Sequence, residues 1–520
     1  MIYRLSLVAL GVLACYSASA GVNAPSETRV ETRDGVLIGM AGQVSVFKGI
    51  PFAAAPVGKL RWREPQPVRP WNEPRQAINF GPDPIQSGGL RPTSEDCLYL
   101  NVWTPNPSQT AQLPVMVWFY GGGFTAGSGA DPLFDGTAFA RKGVVLVTAN
   151  YRVGLFGFMA HRLLTAESPH RSSGNYGLMD QVAALRWVRD NIGAFGGDPG
   201  RVTAFGESAG ASSLSVLLTS PQMNGLVQRV ILESPGSMRP LYTLEAAEKA
   251  GEIVGDDLEA MRALPADEIL KFNTKIIPGV RNFSRPRALG PIADGWLIPF
   301  AGERAAFAAG QVRPVDFLLG TNAAEGVAFV ANWPIKTLPE YQEFLVSNFG
   351  AYASEASSLY PVFQESEIPD ALAMMFGDTQ YAYGVRGMAR SMVRLRSEVF
   401  CYLFSRRRNS GDALPRHGDE ITYVFGHLGR EQGASEKPFD TIDEAVSSAM
   451  QDAWVRFAAT GNPNGGRLPN WPKYDETADP YFEFGDTLRT GVGLRRTNID
   501  FLDRFFAKQA SPSAIDAKAR

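Results

Sequence analysis

Gly206-Glu207-Ser208-Ala209-Gly210 stands between a short apolar run, Arg201 to Phe205, and a segment of helical character, Ala211 to Thr219. A strand running in and a helix running out make these five residues a sharp turn. Such a turn pushes residue 208 outward and needs small neighbours, because two backbones pass close together there. The bare pattern also fits a glycine-rich turn with a surface serine; the strand and helix around it favour a turn that exposes a nucleophile. Outward from this point, similar apolar runs recur at Pro114 to Tyr120, Val144 to Tyr151, Val230 to Leu232, Val315 to Leu319 and Phe400 to Phe404. Runs this apolar suit strands buried on both faces of a mainly parallel sheet. Between them lie helical segments, clearest at Leu178 to Ile192, where Leu178, Val182, Leu185 and Val188 recur at helical spacing. The alternation predicts an α/β fold with helices on both faces of the sheet. Ahead of it, Thr28 to Gly49 alternates polar and apolar residues about Asp34-Gly35, which reads as an antiparallel hairpin or meander.

A serine hydroxyl is too weakly acidic to attack at neutral pH unless a base lies within hydrogen-bond reach and a third group orients that base. The chain has 4 histidines. His161 and His170 precede the serine in a polar loop, where a solvated role is the ordinary expectation. His427 follows Tyr423 to Gly426, a strand-like run, and suits a core or turn position. His417, in Arg416-His417-Gly418-Asp419-Glu420, lies in a loop after the run ending near Phe404 and is the best candidate base. With chain order nucleophile, acid, base, the acid falls between them. Glu325 fits, in the loop Gly320-Thr321-Asn322-Ala323-Ala324-Glu325-Gly326 after a strand. It would fix the imidazole tautomer and stabilise the protonated ring. Tyr120-Gly121-Gly122-Gly123-Phe124 follows another strand, and the amides of Gly122, Gly123 and Ala209 are the candidate oxyanion donors. A phosphate-binding loop is the rival reading of those glycines, but no lysine-serine or lysine-threonine pair follows and no dinucleotide-binding spacing is present. Nothing in this chemistry needs a metal or cofactor.

With 45% hydrophobic and 20% charged residues and a net charge of -3, the 520-residue chain reads as globular, with no electrostatic reason to bind nucleic acid or an anionic membrane. Residues 1–20 read as a secretory signal peptide: Arg4, the apolar run Leu5 to Cys15, and the cleavage site Ala18-Ser19-Ala20. A secreted or periplasmic location follows. The rival is a lipoprotein signal ending at Cys15. No later segment is long and apolar enough to span a bilayer as a helix, so residues 21–520 are expected to be soluble. They are expected to form one large domain, with helical insertions near 245–288 and 338–396 over the active-site end of the sheet. Cys97 and Cys401 are too few for a disulfide scaffold. Ala507 to Arg520 reads as a frayed tail.

The chain resembles the type-B carboxylesterase and cholinesterase family of α/β-hydrolases. The matching text includes Phe47-Lys48-Gly49-Ile50-Pro51-Phe52, Glu95-Asp96-Cys97-Leu98-Tyr99-Leu100-Asn101-Val102, Trp118 to Phe124, Asn150-Tyr151-Arg152, Phe195-Gly196-Gly197-Asp198-Pro199, Phe205 to Gly210 and His417 to Glu420. The resemblance implies Ser208, Glu325 and His417 as a triad, the same oxyanion amides, a small-molecule ester substrate, and structural ion pairs Arg61–Glu95 and Arg152–Asp180. It breaks where relatives pair Cys97 with an upstream cysteine, because Gly81 to Gln86 carries Pro84 instead. The stretch Ile85 to Asp96 also lacks the aromatic residue that holds choline in cholinesterases, which argues against choline esters.

Two alternatives remain beside ester hydrolysis: a carbamate or amide hydrolase with the same residues, and a non-catalytic binding or adhesion protein on this fold. The intact triad positions argue against the second. Arg281, Arg285 and Arg287 cluster just before Leu289 to Gly295. They read either as a solvated face of the cap or as cations facing an acidic acyl group.

Overall fold

The computed structural model describes residues 26–89, 91–408, 413–429 and 438–509. The leader, with Cys15, and the tail from 510 lie outside them. The main sheet is built from twelve strands: β1 (Glu27–Glu31), β2 (Val36–Met40), β3 (Ser45–Pro51), β4 (Tyr99–Thr104), β5 (Leu113–Phe119), β6 (Val145–Ala149), β7 (Gly197–Glu207), β8 (Arg229–Glu233), β9 (Asp316–Asn322), β10 (Val399–Phe404), β11 (Pro480–Phe484) and β12 (Leu488–Val492). A two-residue strand, Arg75–Gln76, is attached to β2. In space the order is β1-β2-β3-β4-β6-β5-β7-β8-β9-β10-β11-β12.

From β6 to β11 every neighbouring pair is parallel. Both flanks are antiparallel: β1 to β4 with the β4–β6 pairing at one end, and β11–β12 at the other. The central strands β5 and β6 are buried at nearly every position, as strands covered on both faces must be. The order of connection reverses at β5 and β6, and the chain ends that carry the chemistry lie at the carboxyl ends of β5, β7, β9 and β10. That is where open α/β sheets place their sites.

Helices packed around the sheet include α1 (Tyr176–Asn191), α2 (Ala209–Leu217), α3 (Tyr383–Arg394), α4 (Ile421–Phe425), α5 (Thr441–Thr460) and α6 (Arg496–Gln509). α2 packs against β7 and β8, and α3 against β9 and β10. Helices also fill residues 244–276 and 338–377, between the strands of the sheet. The run Tyr423 to Gly426, strand-like in sequence, is instead the end of α4, closed by Gly426 at φ 72°. Its buried Tyr423, Val424 and Phe425 form an apolar run too short to reveal its period, so burial alone suggested a strand.

A cluster of rings lies under the nucleophile turn. Trp118 of β5 meets Phe134, Phe205 of β7 and Phe425 of α4, with ring centroids 4.8 to 5.0 Å apart. Contacts of this kind contribute roughly 0.5–1.5 kcal/mol each beyond the area they bury. They bind the strand entering the turn to the helix that follows His417.

Candidate active site

Ser208 stands between β7 and α2 at φ 53° and ψ -116°, a conformation unfavourable for a residue with a side chain. Its amide donates to the Glu233 carbonyl at 2.9 Å, which ties the turn to β8. The flanking glycines are required by space. A Cβ on Gly206 would lie 2.5 Å from the Phe119 carbonyl oxygen, and one on Gly210 would lie 2.0 Å from it. Any side chain there would separate β5 from the turn. Ser208 is left 9% exposed.

Glu325 follows β9 and is held on all sides. Its Oε1 accepts from Ser234 Oγ at 2.5 Å, Thr321 Oγ1 at 2.7 Å and the Asn322 amide at 2.7 Å, and its Oε2 meets His417 Nδ1 at 2.5 Å. Burial alone would raise its pKa, but His417 and these donors outweigh burial and hold the carboxyl below its usual value. The histidine loop is brought in by an isolated bridge between Ala324 and Arg416 and by Asn322 Nδ2 donating to the Arg416 carbonyl at 2.8 Å.

On the other side of the ring, His417 Nε2 lies 2.9 Å from Glu207 Oε1, outside hydrogen-bond alignment, and 3.4 Å from the Tyr381 hydroxyl. No hydrogen bond joins Ser208 Oγ to His417 among the described residues. The Tyr381 ring stacks on the imidazole at 4.5 Å, and Phe329 meets it edge-on at 5.0 Å. Burial disfavours the imidazolium, yet Tyr381, Glu207 and Glu325 outweigh it and hold the His417 pKa well above its usual value. Behind Glu207 lie two more buried carboxyls. Glu233 accepts from Trp454 Nε1 at 2.8 Å and is pushed up to about 8 by burial. Glu420, held by Asn322, is also raised by burial, with Glu207 and Glu233 adding to the effect.

The glycine loop after β5 reaches the nucleophile directly, since a Cβ on Gly121 would come within 3.0 Å of Ser208 Cβ. Gly122 and Gly123 take φ 104° and 64°, which suit glycine. The amides of Gly122, Gly123 and Ala209 donate to no other group among the described residues.

The other histidines lie elsewhere. His161 is fully buried rather than solvated: its Nδ1 accepts from the Leu163 amide and its Nε2 lies 3.0 Å from the Gly255 carbonyl. His170 stacks on Trp296 at 4.0 Å, and His427 Nε2 lies 3.2 Å from the Asp135 carbonyl. Both scaffold ion pairs are present: Arg61 Nε on Glu95 at 2.7 Å, and Arg152 on Asp180 through two contacts of 2.8 Å. Cys97 and Cys401 are buried free thiols. Of the arginine cluster, only Arg285 is exposed; Arg281 and Arg287 are half-buried.

Sequence reasoning missed Tyr381, Glu233, Ser234 and Phe329. Glu207 and Glu420 lie inside the nucleophile turn and the histidine loop, and their charge is the signal that could have found them. Tyr381 sits in a π-helical turn, Asp378–Ala382, that leads into α3. Such turns gather at functional sites, but a single sequence carries no mark of them.

A buried acid–histidine pair beside an outward serine, at the carboxyl ends of a mostly parallel sheet, defines an α/β-hydrolase. The sequence pattern of the carboxylesterase family matches residues 26–502. The fumonisin B1 esterase of Sphingopyxis macrogoltabida is 44% identical over 473 residues, covering 89% of this chain and 87% of that one. The para-nitrobenzyl esterase of Bacillus subtilis (strain 168) is 35% identical over 456 residues, covering 83% and 89%. A crystal structure of a Geobacillus stearothermophilus carboxylesterase superposes with a TM-score of 0.80 at 34% identity, covering 91% of this chain and 99% of that one. This chain belongs to the carboxylesterase family and is a carboxylic ester hydrolase.

Proposed function

We propose that the chain cleaves small-molecule carboxylic esters through an acyl-enzyme on Ser208, with His417 as base and Glu325 as the acid that orients it. The observation carrying this reading is the 2.5 Å contact between His417 Nδ1 and a Glu325 carboxylate fixed by three further donors. It leaves Nε2 as the working nitrogen of the ring. Ser208 Oγ attacks the ester carbonyl carbon as Nε2 takes its proton. The carbonyl oxygen becomes an oxyanion between the amides of Gly122, Gly123 and Ala209. The bond to the alcohol then breaks, and the imidazolium returns the proton to the leaving oxygen. Water repeats the sequence on the acyl-enzyme, freeing the acid and Ser208. Attack requires Nε2 to exchange Glu207 for Ser208 Oγ; such contacts commonly tighten only when substrate is bound. In this reading residues 1–20 direct export, and the enzyme acts in the periplasm or outside the cell.

Ser208→Ala tests the assignment. The variant should fold, lose ester hydrolysis and escape labelling by an organophosphonate that modifies the parent protein. Labelling that persists in Ser208→Ala would overturn it. His417→Ala and Glu325→Gln should each lower turnover by roughly 10³-fold or more.

A further inference from the structure

Arg61, Arg152, Arg239, Arg386 and Arg406 are the buried arginines among the described residues. Four of them meet carboxylates: Arg61 with Glu95, Arg152 with Asp180, Arg386 with Asp479 and Asp500, and Arg406 with Asp440, Asp443 and Asp486. Arg239 meets none. Its Nη1 donates to the Thr379 carbonyl at 3.1 Å and its Nη2 to the Phe283 carbonyl at 2.5 Å, while its Nε is buried without a partner. Arg281 and Arg287 line the same cleft as Arg239, with Phe124, Ser212 and Pro291, and neither forms an ion pair among the described residues. Burial lowers the pKa of all three, to about 9 for Arg239, and on Arg239 and Arg281 the neighbouring guanidiniums add to the effect. Like charges brought together out of water are unfavourable unless an anion joins them.

The cleft borders the reacting atoms. The Arg287 guanidinium lies 5.3 Å from the Phe124 ring centroid. Its Nη1 would be 3.7 Å from a Cβ on Gly123. Phe124 follows Gly123, and Ser212 lies one turn along α2 from Ala209, so the elements bearing the oxyanion donors form its wall. A group entering here lies beside the candidate oxyanion donors, which in the proposed mechanism hold the oxygen of the reacting carbonyl carbon. The leaving alcohol must instead reach His417 Nε2, where the neighbouring Phe329 is apolar and 40% exposed.

We propose that this cleft is an acyl subsite in which Arg287, with Arg281 and Arg239 behind it, holds a free carboxylate on the acyl half of the ester. The substrate class is then esters of acids with at least one further carboxyl group. This rests on the ester-hydrolase reading above. Guanidinium suits the task because its planar fork matches a carboxylate. Arg285 contributes its carbonyl, which accepts from Arg239 Nη2 at 3.3 Å, but its exposed guanidinium takes no part.

The test compares the 4-nitrophenyl half ester of glutaric acid with its neutral terminal amide. The parent protein should favour the acid in kcat/KM by about tenfold or more at low salt. Arg287→Gln and Arg281→Gln should lose most of that preference, mainly through KM, while Arg285→Gln keeps it. A parent ratio near one, or a ratio unchanged in both cleft variants, overturns the proposal. Binding is read separately: glutarate should raise the thermal midpoint of Ser208→Ala but not of the Ser208→Ala/Arg287→Gln double variant. Equal stabilisation of the two, or of neither, also overturns it. Failure to hydrolyse either ester would instead strike the catalytic reading, which the glutarate measurement does not use.

Discussion

His417 faces acids at both nitrogens: Glu325 is hydrogen-bonded at Nδ1, and Glu207 stands 2.9 Å from Nε2 as an ion-pair partner. A general base must be neutral before it can accept a proton, so its raised pKa moves the acid limb of kcat/KM above the usual histidine range. Glu207→Gln removes one of the charges that raise it. The limb should then shift to lower pH, by roughly one unit for each 1.4 kcal/mol of lost interaction. An unmoved limb would mean that Glu207 does not stabilise the imidazolium. Stability responds through the same group. A histidine whose pKa rises on folding contributes stability that is complete below about 6.5 and is lost as pH climbs through the raised value. Parent and Glu207→Gln unfolding midpoints should therefore converge on the alkaline side, as far as this group is concerned.

At the scale of elements, the turn between β7 and α2 depends on close backbone approach to β5. Gly210→Ala is expected to lose nearly all activity and several kcal/mol of stability, because its Cβ meets backbone that has no room to yield. Urea unfolding and active-site titration would measure both; a stable, active Gly210→Ala would refute this account. The same elements show what the sequence made legible. β5, β7 and α2 were readable because β strands buried on both faces are uniformly apolar, and because the glycines mark the turn. α4 reads as a strand because three apolar residues fit either period, and only its packing under Trp118 decides between them. Tyr381 was invisible because its position depends on one π-helical turn. Arg239 was overlooked because nothing near it in the chain distinguishes a buried arginine from an exposed one. Its carbonyl partners, Phe283 and Thr379, lie far along the sequence.

Across the whole molecule, packing rather than cross-linking holds a core that runs from Val30 to Phe506. Cys97 and Cys401 have pKa values raised by burial, so neither thiol is reactive in the folded state. If residues 1–20 direct export and are removed, as proposed, alkylation under denaturing, non-reducing conditions should add two groups to the chain, and almost none without denaturant. A mass that retains residues 1–20 and a third alkylated cysteine would refute the cleavage after Ala20. A mass carrying lipid on Cys15 would support the rival signal.

The antiparallel flanks of the sheet bear on the company the molecule keeps. At one border β1 exposes Glu27 and Glu31 with Arg29 half-buried between them, and at the other β12 exposes Arg489, Thr490 and Val492. A foreign strand adding to either border would have to bring its own side chains against these charges and remove them from water. A parallel sheet ending on bare apolar strands would act as a template for open-ended polymerisation. The charged border at β1 discourages that growth, while at β12, where Val492 is exposed, the charged obstacle to a foreign strand is the Arg489–Glu483 pair.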